Sequence, residues 1–383
     1  MRVGIVGLGF RMGWLARVFS AASPDFRVVG HVDPDPAGLP YCREHGIDTG
    51  EAYGTLTELI DKGRLDLLMV GSPNHLHLAH ITEGLEAGLR IFAEKPVVVS
   101  EEETIELARL LGKYGHDRVM VGLVLRYAPL YVDLRAAQAR GELGDIASIE
   151  ASEHIPPYHG AFFMRDWRRY ERYAGSFMLE KCCHDLDLYN GVMGCRPRFV
   201  SSFGGRRSFV PDNAPERRGL NDHEVYHRKP SGWQGSDKVF DSDGDIIDFQ
   251  TAMVEYESGA ALTFHTNLNV PDDFRRFAVL GARGMAEGDF VRNYFRVTDA
   301  HTGRRLAEKN YQGIEGSAHY GADEAMAEGV LRHLTEGAPL PVSVLDALEA
   351  GLLALAMDTA RRQRRIIDMA PVFRRFDDAL GRR

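Results

Sequence analysis

Cysteine, tryptophan and long apolar runs are all scarce in this 383-residue chain. Four cysteines, two of them adjacent at Cys182 and Cys183, are too few to form a disulfide framework. No apolar run approaches the ~18–20 residues that span a bilayer, so a membrane partner is not expected. Met1 runs straight into RVGIVGLGF, a strand and its turn; no signal peptide is expected, and a cytoplasmic protein is. A basic surplus is missing too. Lys and Arg number 46 against 55 Asp and Glu, a formal net charge of −9, which argues against nucleic acid. The cluster RRQRR at 361–365 reads as a solvated helix face rather than a binding stripe. Internal repeats and low-complexity tracts are absent.

What is present is globular: 44% hydrophobic and 26% charged residues, with length enough for two domains. Over the first third, short apolar runs at 3–6, 28–32, 65–70, 90–93 and 118–124 alternate with amphipathic stretches at about 11–22, 36–46, 55–63, 74–88 and 101–115. Continuous apolar strands are those of a parallel sheet covered on both faces. Strand–helix alternation implies a doubly wound Rossmann sheet over residues 1–125.

Beyond residue 125 the pattern changes. A helix at about 128–140 precedes alternating segments at 145–152, 196–204, 246–256, 260–268, 274–281 and 284–298. Turn signals SGA (258–260) and GARG (281–284) join strands as hairpins. Helices are expected at 176–193, 322–336 and 343–365, the last of them candidates to pack back on the first domain. Residues 126–383 therefore read as an α+β domain with an open, mainly antiparallel mixed sheet. The stretch 207–245 reads as a long surface loop.

The chemistry-bearing residues begin at GIVGLGFRMG. Gly7 and Gly9 follow the first strand and open a helix, with Phe10, Arg11 and Met12 in its first turn. Such glycines let the backbone approach a pyrophosphate that the helix N-terminus stabilises. The third glycine of the fingerprint is displaced to Gly13. Asp33 ends the second strand, suited to both ribose hydroxyls of NAD and repelling a 2′-phosphate. Arg11, a cation in this loop, leaves NADP open. Ser72, Pro73 and Asn74 lie at the carboxyl end of the third core strand, although Asn74 also suits a helix N-cap. His75, His77 and His80 do not share one helix face, and no metal is expected.

Glu94 and Lys95 emerge at the end of the fourth strand in AEKPVVVSEEE. Pro96 restricts the backbone at Lys95, and the bond between them is a candidate for cis geometry. Ser100 caps the following helix, with Glu103 at the capping-box position.

Gly-x-Gly, the acidic end of strand two, SPNHLH, AEKP and GSFMLEKCCHDLD occur in an order and spacing that resembles the Gfo/Idh/MocA oxidoreductases. The likeness extends to SVLDALEAGLLALAMDTARR, nearly the whole chain. It implies a Rossmann domain followed by a mixed-sheet domain that carries a sugar site and the interface of a homodimer or homotetramer. By this resemblance, Lys95 sits beside the nicotinamide and the reacting hydroxyl, Glu94 contacts cofactor ribose, and His77 belongs to the cofactor loop. The family's Asp-x-x-x-His reads Glu180 and His184 here. The longer glutamate either reaches deeper into the pocket or turns to pair with Lys181 or Lys95.

Oxidising an alcohol removes a hydride and a proton; nicotinamide takes the first and a positioned base the second. Glu180 and His184, four apart, share a helix face. A neutral His184 can accept the hydroxyl proton, or serve as a buried packing histidine. Lys95 can stabilise the developing alkoxide. Asp187 either orients His184 or faces solvent, and the adjacent cysteines pack. Further substrate candidates are Arg126 and Tyr127 past the last core strand, and Arg165 and Trp167 in FFMRDWRRY. His265, with Asn267 and Asn269, and His319 complete the set. Three functions fit: an NAD-dependent dehydrogenase of a sugar, cyclitol or glycoside; a redox-cycling glycosidase with tightly bound NAD; and a nucleotide-linked sugar sensor.

Overall fold

The computed structural model describes residues 1–215, 222–312 and 319–382. Strand and helix alternate at first: β1 (Arg2–Val6), α1 (Phe10–Ala22), β2 (Arg27–Val32), α2 (Leu39–Glu44), β3 (Glu51–Ala52), α3 (Leu56–Gly63), β4 (Leu67–Val70), α4 (His77–Glu86), β5 (Arg90–Ala93), α5 (Glu101–Tyr114) and β6 (Val119–Val121). There follow α6 (Pro129–Ala139), β7 (Ile146–His154), α7 (Pro157–Arg165), α8 (Glu171–Ala174), α9 (Phe177–Met193), β8 (Pro197–Gly205) and α10 (Asp222–His227). The remainder is β9 (Phe249–Tyr256), β10 (Ala261–Asn267), β11 (Arg276–Gly281), β12 (Gly284–Asp289), β13 (Tyr294–Asp299), β14 (Arg305–Asn310), α11 (Ala322–Glu336), α12 (Val344–Gln363), β15 (Ile367–Asp368) and α13 (Ala370–Ala379).

The chain divides into two compact units. One gathers Met1–Ala128, Glu315–Gly351 and Val372–Arg383; the other gathers Pro129–Ile314 and Leu352–Pro371. In the first, six parallel strands run in the order β3-β2-β1-β4-β5-β6. The order reverses between β1 and β4, and such a switch point opens a crevice at the strands' carboxyl ends. All four residues of β4 are buried, which is why its sequence is apolar without alternation. Ser100 accepts a hydrogen bond from Glu103 N at 3.1 Å, and Val99 N donates to the Glu103 carboxylate at 2.9 Å, so the capping box holds the start of α5.

The second unit carries a nine-stranded sheet, β14-β13-β12-β11-β7-β10-β9-β8-β15. Its pairings are antiparallel except for β7 with β10. α9 covers one face: Tyr189 lies 6.5 Å from Phe264 and 6.4 Å from Phe277, ring centre to ring centre. Ser176 caps the start of α9 through Leu179 N, and Gly194 ends it in the left-handed region. Alternation along β9 and β10 leaves the opposite face exposed, as in a sheet covered on one side.

Several features depart from the pattern. The segment 284–298 is two strands, β12 and β13, folded back through a turn in which Asn293 has φ 56°. β14 is mostly exposed and charged, an edge strand without apolar periodicity. α7 and α13 were also unsignalled. The stretch 207–245 is largely irregular but includes α10; its residues 216–221 lie outside the described ones.

Candidate active site

Gly7 adopts φ +84°, and a Cβ there would stand 2.2 Å from Ser72 N, so only glycine fits between β1 and the loop after β4. Gly9 caps α1, and a Cβ there would meet open space, leaving the helix N-terminus accessible. Phe10 is exposed, whereas Met12 is buried under Gly71. Asp33 holds the turn from the far side: one oxygen accepts from Leu8 N at 2.7 Å and the other from Asp35 N at 2.8 Å. Each oxygen keeps a lone pair for a further donor.

The loop after β4 is fixed by two histidines. His77 is fully buried, its ring nitrogens 2.8 Å from Ser72 O and 2.9 Å from Pro96 O, so it bridges two loops at the sheet's carboxyl edge. His80 Nδ1 lies 2.9 Å from the Ser72 hydroxyl. Pro73 occupies the N-cap of a short 3-10 turn that Asn74 begins, so Asn74 is buried in the turn rather than capping α4. His75, His77 and His80 thus serve separate contacts; among the described residues no cluster of three or more His, Cys, Asp or Glu could hold a metal.

Lys95 and Pro96 are joined by a cis peptide bond, and Lys95 is half-buried. Glu94 is buried; one oxygen accepts from Lys95 N at 3.1 Å and the other faces Arg11 Nε at 3.0 Å. Arg11 is also bound by Asp323 of α11, with Nη2 at 2.7 Å and Nη1 at 3.1 Å. Asp323 further accepts from Trp14 Nε1 at 3.2 Å and lies 3.1 Å from His319 Nδ1. Burial works against the Arg11 charge, but Glu94 and Asp323 outweigh it and hold the guanidinium pKa above its ordinary range. Arg11, whose place in the glycine loop suggested a cation for a cofactor phosphate, is therefore committed to two carboxylates of its own unit. Tyr127 packs against Gly329, and burial raises its phenol pKa; Arg126 beside it is half-buried.

In the second unit, Glu180 and His184 sit one turn apart on α9, 4% and 5% exposed. Glu180 does not pair with Lys181. Arg168 Nε lies 2.8 Å from Glu180 Oε1, and its Nη1 lies 2.8 Å from Asp166. Lys181 points to Glu153 on β7 at 2.9 Å. Glu153 also meets Arg275 at 2.8 Å, and Arg275 grips Asp185 through two hydrogen bonds of 2.8 and 2.6 Å. Burial pushes the Asp185 carboxyl up to about 6, against the pull of Arg275, so it stays ionised near neutrality. Burial also opposes the Glu153 charge, but Arg275 and Lys181 reverse this and lower its pKa. Asp187 is buried, which corrects the helix-surface alternative. Cys182 and Cys183 are buried and form no disulfide.

Other candidates take different places. Arg165 is buried and its Nη2 donates to Lys229 O, pinning the 207–245 stretch. Trp167 is covered by the Arg168 guanidinium, 4.2 Å from the ring centre, and is no open platform. His265 lies on the face of β10 opposite α9, because Phe264 and Thr266 point toward that helix. There it meets His154, ring centres 4.9 Å apart, and Asn267 Nδ2 at 3.1 Å. Burial, with His265 adding to it, pushes His154 down to about 4. The sheet thus separates His265 from His184. Asn269 lies past the end of β10.

Arg168, Asp323, Glu153 and Arg275 were missed as partners. FFMRDWRRY pointed to Arg165 and Trp167, and nothing local distinguishes Arg168 from the cations around it. Asp323 is 312 residues from Arg11, beyond any local pattern.

Residues 1–123 match the family model described as an oxidoreductase family with an NAD-binding Rossmann fold, and residues 131–287 match the GFO/IDH/MocA C-terminal domain. A putative oxidoreductase, YteT of Bacillus subtilis (strain 168), is 22% identical over 70% of this chain and 71% of its own length. Inositol 2-dehydrogenase of Corynebacterium glutamicum (strain R) is 26% identical over 51% of this chain and 55% of its own. The chain thus spans about half the length of that relative. Two solved structures share the fold. Levoglucosan dehydrogenase, in complex with NADH and levoglucosan, has TM-score 0.77 and 18% identity, covering 96% of this chain and 99% of that one. A putative myo-inositol dehydrogenase from Sinorhizobium meliloti 1021 has TM-score 0.71 and 19% identity, with 96% and 99% covered.

Proposed function

The chain belongs to the Gfo/Idh/MocA family of NAD-binding oxidoreductases, and from that premise we propose that it transfers a hydride between a secondary hydroxyl of a sugar, cyclitol or glycoside and nicotinamide. The observation that carries this reading is the fixing of the Glu94–Lys95 segment at the carboxyl edge of the Rossmann sheet. Arg11 holds the Glu94 carboxylate and His77 holds Pro96 O. A cation so fixed suits an alkoxide that develops as hydride leaves carbon. When bound, NAD would supply the hydride acceptor; Gly7, Gly9, Ser72 and Asp33 are its proposed contacts. Residues 1–125 serve as dinucleotide domain and 126–383 carry the substrate groups.

His184 takes the hydroxyl proton, and Glu180, tied to Arg168, remains an ionised neighbour that favours an imidazolium forming one turn away. NAD is preferred to NADP. Asp33 stands as a carboxylate where a 2′-phosphate would come, and Arg11 is engaged by Glu94 and Asp323. No helix among the described residues is long and apolar enough to cross a membrane, and none of the four cysteines is in a disulfide; both fit a cytoplasmic protein. The exposed face of the second sheet, with Phe203 and Met253 outward, is the proposed surface of a homodimer or homotetramer.

The test is incubation of the pure protein with NAD and a panel of sugars, cyclitols and aryl glycosides, following NADH and aglycone together. Stoichiometric NADH supports the dehydrogenase. Aglycone without net NADH identifies the redox-cycling glycosidase, and tight NAD binding with neither product identifies a sensor.

A further inference from the structure

Lys229 belongs to the irregular stretch after β8, yet its side chain is half-buried among groups of the α9 region. Arg165 donates to its carbonyl oxygen and so fixes the backbone at that point. The ammonium lies 5.6 Å from the ring centre of Tyr158 and 5.5 Å from that of Phe162, both on α7. Its charged neighbours are Lys181 of α9, Arg168 and the adjacent Arg228. Of these, Lys181 is satisfied by Glu153, and Arg168 by Asp166 and Glu180. Lys229 is different: among the described residues no carboxylate pairs with it and every charged group that weighs on it is a cation, while the adjacent Arg228 is exposed and lies 4.7 Å from the Tyr158 ring centre.

A half-buried ammonium among cations is costly unless an anion visits it. One half-buried monovalent charge, with Arg168 already occupied and Arg228 turned out to solvent over Tyr158, matches a carboxylate better than a phosphate dianion, which needs several donors.

We propose that Lys229 is a specificity residue that recognises the carboxylate of an acidic sugar, a hexuronic or aldonic acid or its glycoside. The inference rests on the proposed sugar oxidoreductase function and narrows its substrate class. Burial, then Lys181, Arg168 and Arg228, push the ammonium down to about 8. It is charged and competent below that pH and loses its proton above it.

The test measures binding calorimetrically with NADH present, for glucuronate against glucose and galacturonate against galactose. Wild type is expected to bind an acid about tenfold or more tighter than its neutral partner, with the advantage fading as pH rises through about 8. Lys229→Gln collapses the ratio toward one, and Lys229→Arg restores part of it. Equal binding of acid and neutral sugars, no binding of either acid, or a ratio unmoved in Lys229→Gln overturns the proposal. Failure to bind NADH, measured first and without sugar, would instead count against the oxidoreductase reading.

Discussion

Arg168 Nε stands 2.8 Å from Glu180 Oε1, on a buried carboxylate one turn before His184 on α9. The same guanidinium bonds Asp166, so Glu180 is held in its ionised, hydrogen-bond-accepting form. A carboxylate held this way acts on a neighbouring imidazole through its field rather than by taking a proton itself.

Arg168→Met should remove the guanidinium that favours the charged form of the buried Glu180, so that the carboxylate takes up a proton more readily. The expected result is a fall in kcat/KM of about tenfold to a hundredfold, with the loss growing toward acid. Steady-state kinetics against pH check it; a uniform loss across pH would assign Arg168 to packing alone.

On the proposed reading, Asp33 sets the choice of cofactor. Asp33→Ser removes the carboxylate but keeps a group for Leu8 N, and kcat/KM for NAD should drop about tenfold or more while NADP gains. Parallel kinetics with both dinucleotides measure the shift in ratio.

Asp323 carries a carboxyl held well below the ordinary range. Burial acts the other way, but the His319 and Arg11 hydrogen bonds outweigh it. Its folded pKa lies under its unfolded one, so its stabilisation is present above the unfolded value of about 3.9 and is lost as pH falls through the folded value. Asp323→Asn should therefore lower unfolding stability at neutral pH and flatten its loss in acid. Denaturant titrations at pH 7 and pH 3 report both effects. NAD affinity should fall with it, since Arg11 then holds Glu94 less firmly.

Breaking the buried chain Lys181–Glu153–Arg275–Asp185 should cost folding far more than any surface pair. Arg275→Met leaves two carboxylates without their guanidinium, with an expected loss of about 3–5 kcal/mol by urea unfolding. Arg276→Met, whose partner Glu150 is exposed, should cost about 1 kcal/mol or less.

Much of this molecule was legible because local physics agreed with the global fold. The apolar runs of β1, β4 and β5, the glycine after β1 and the Ser100 capping box each announce themselves within a few residues. The direction of long side chains does not. Sequence reasoning offered Glu180 two cations, Lys181 and Lys95, and only packing brings Arg168 to it. His265 was expected to line the pocket; strand alternation sets its face, but only the position of α9 tells which face is the site. Arg11 looked like a phosphate ligand until Asp323, brought in by α11, met it. β14 carries too many charges to signal a strand, because an edge needs no apolar face.

The central claim is that Lys95 is the cation at the reacting hydroxyl. Lys95→Ala is to be compared with wild type for NADH formation on the best substrate of the panel, with NAD affinity measured on the same samples. The account predicts turnover lost by at least about a thousandfold with NAD affinity within a few-fold of wild type. Turnover that survives the substitution would contradict it.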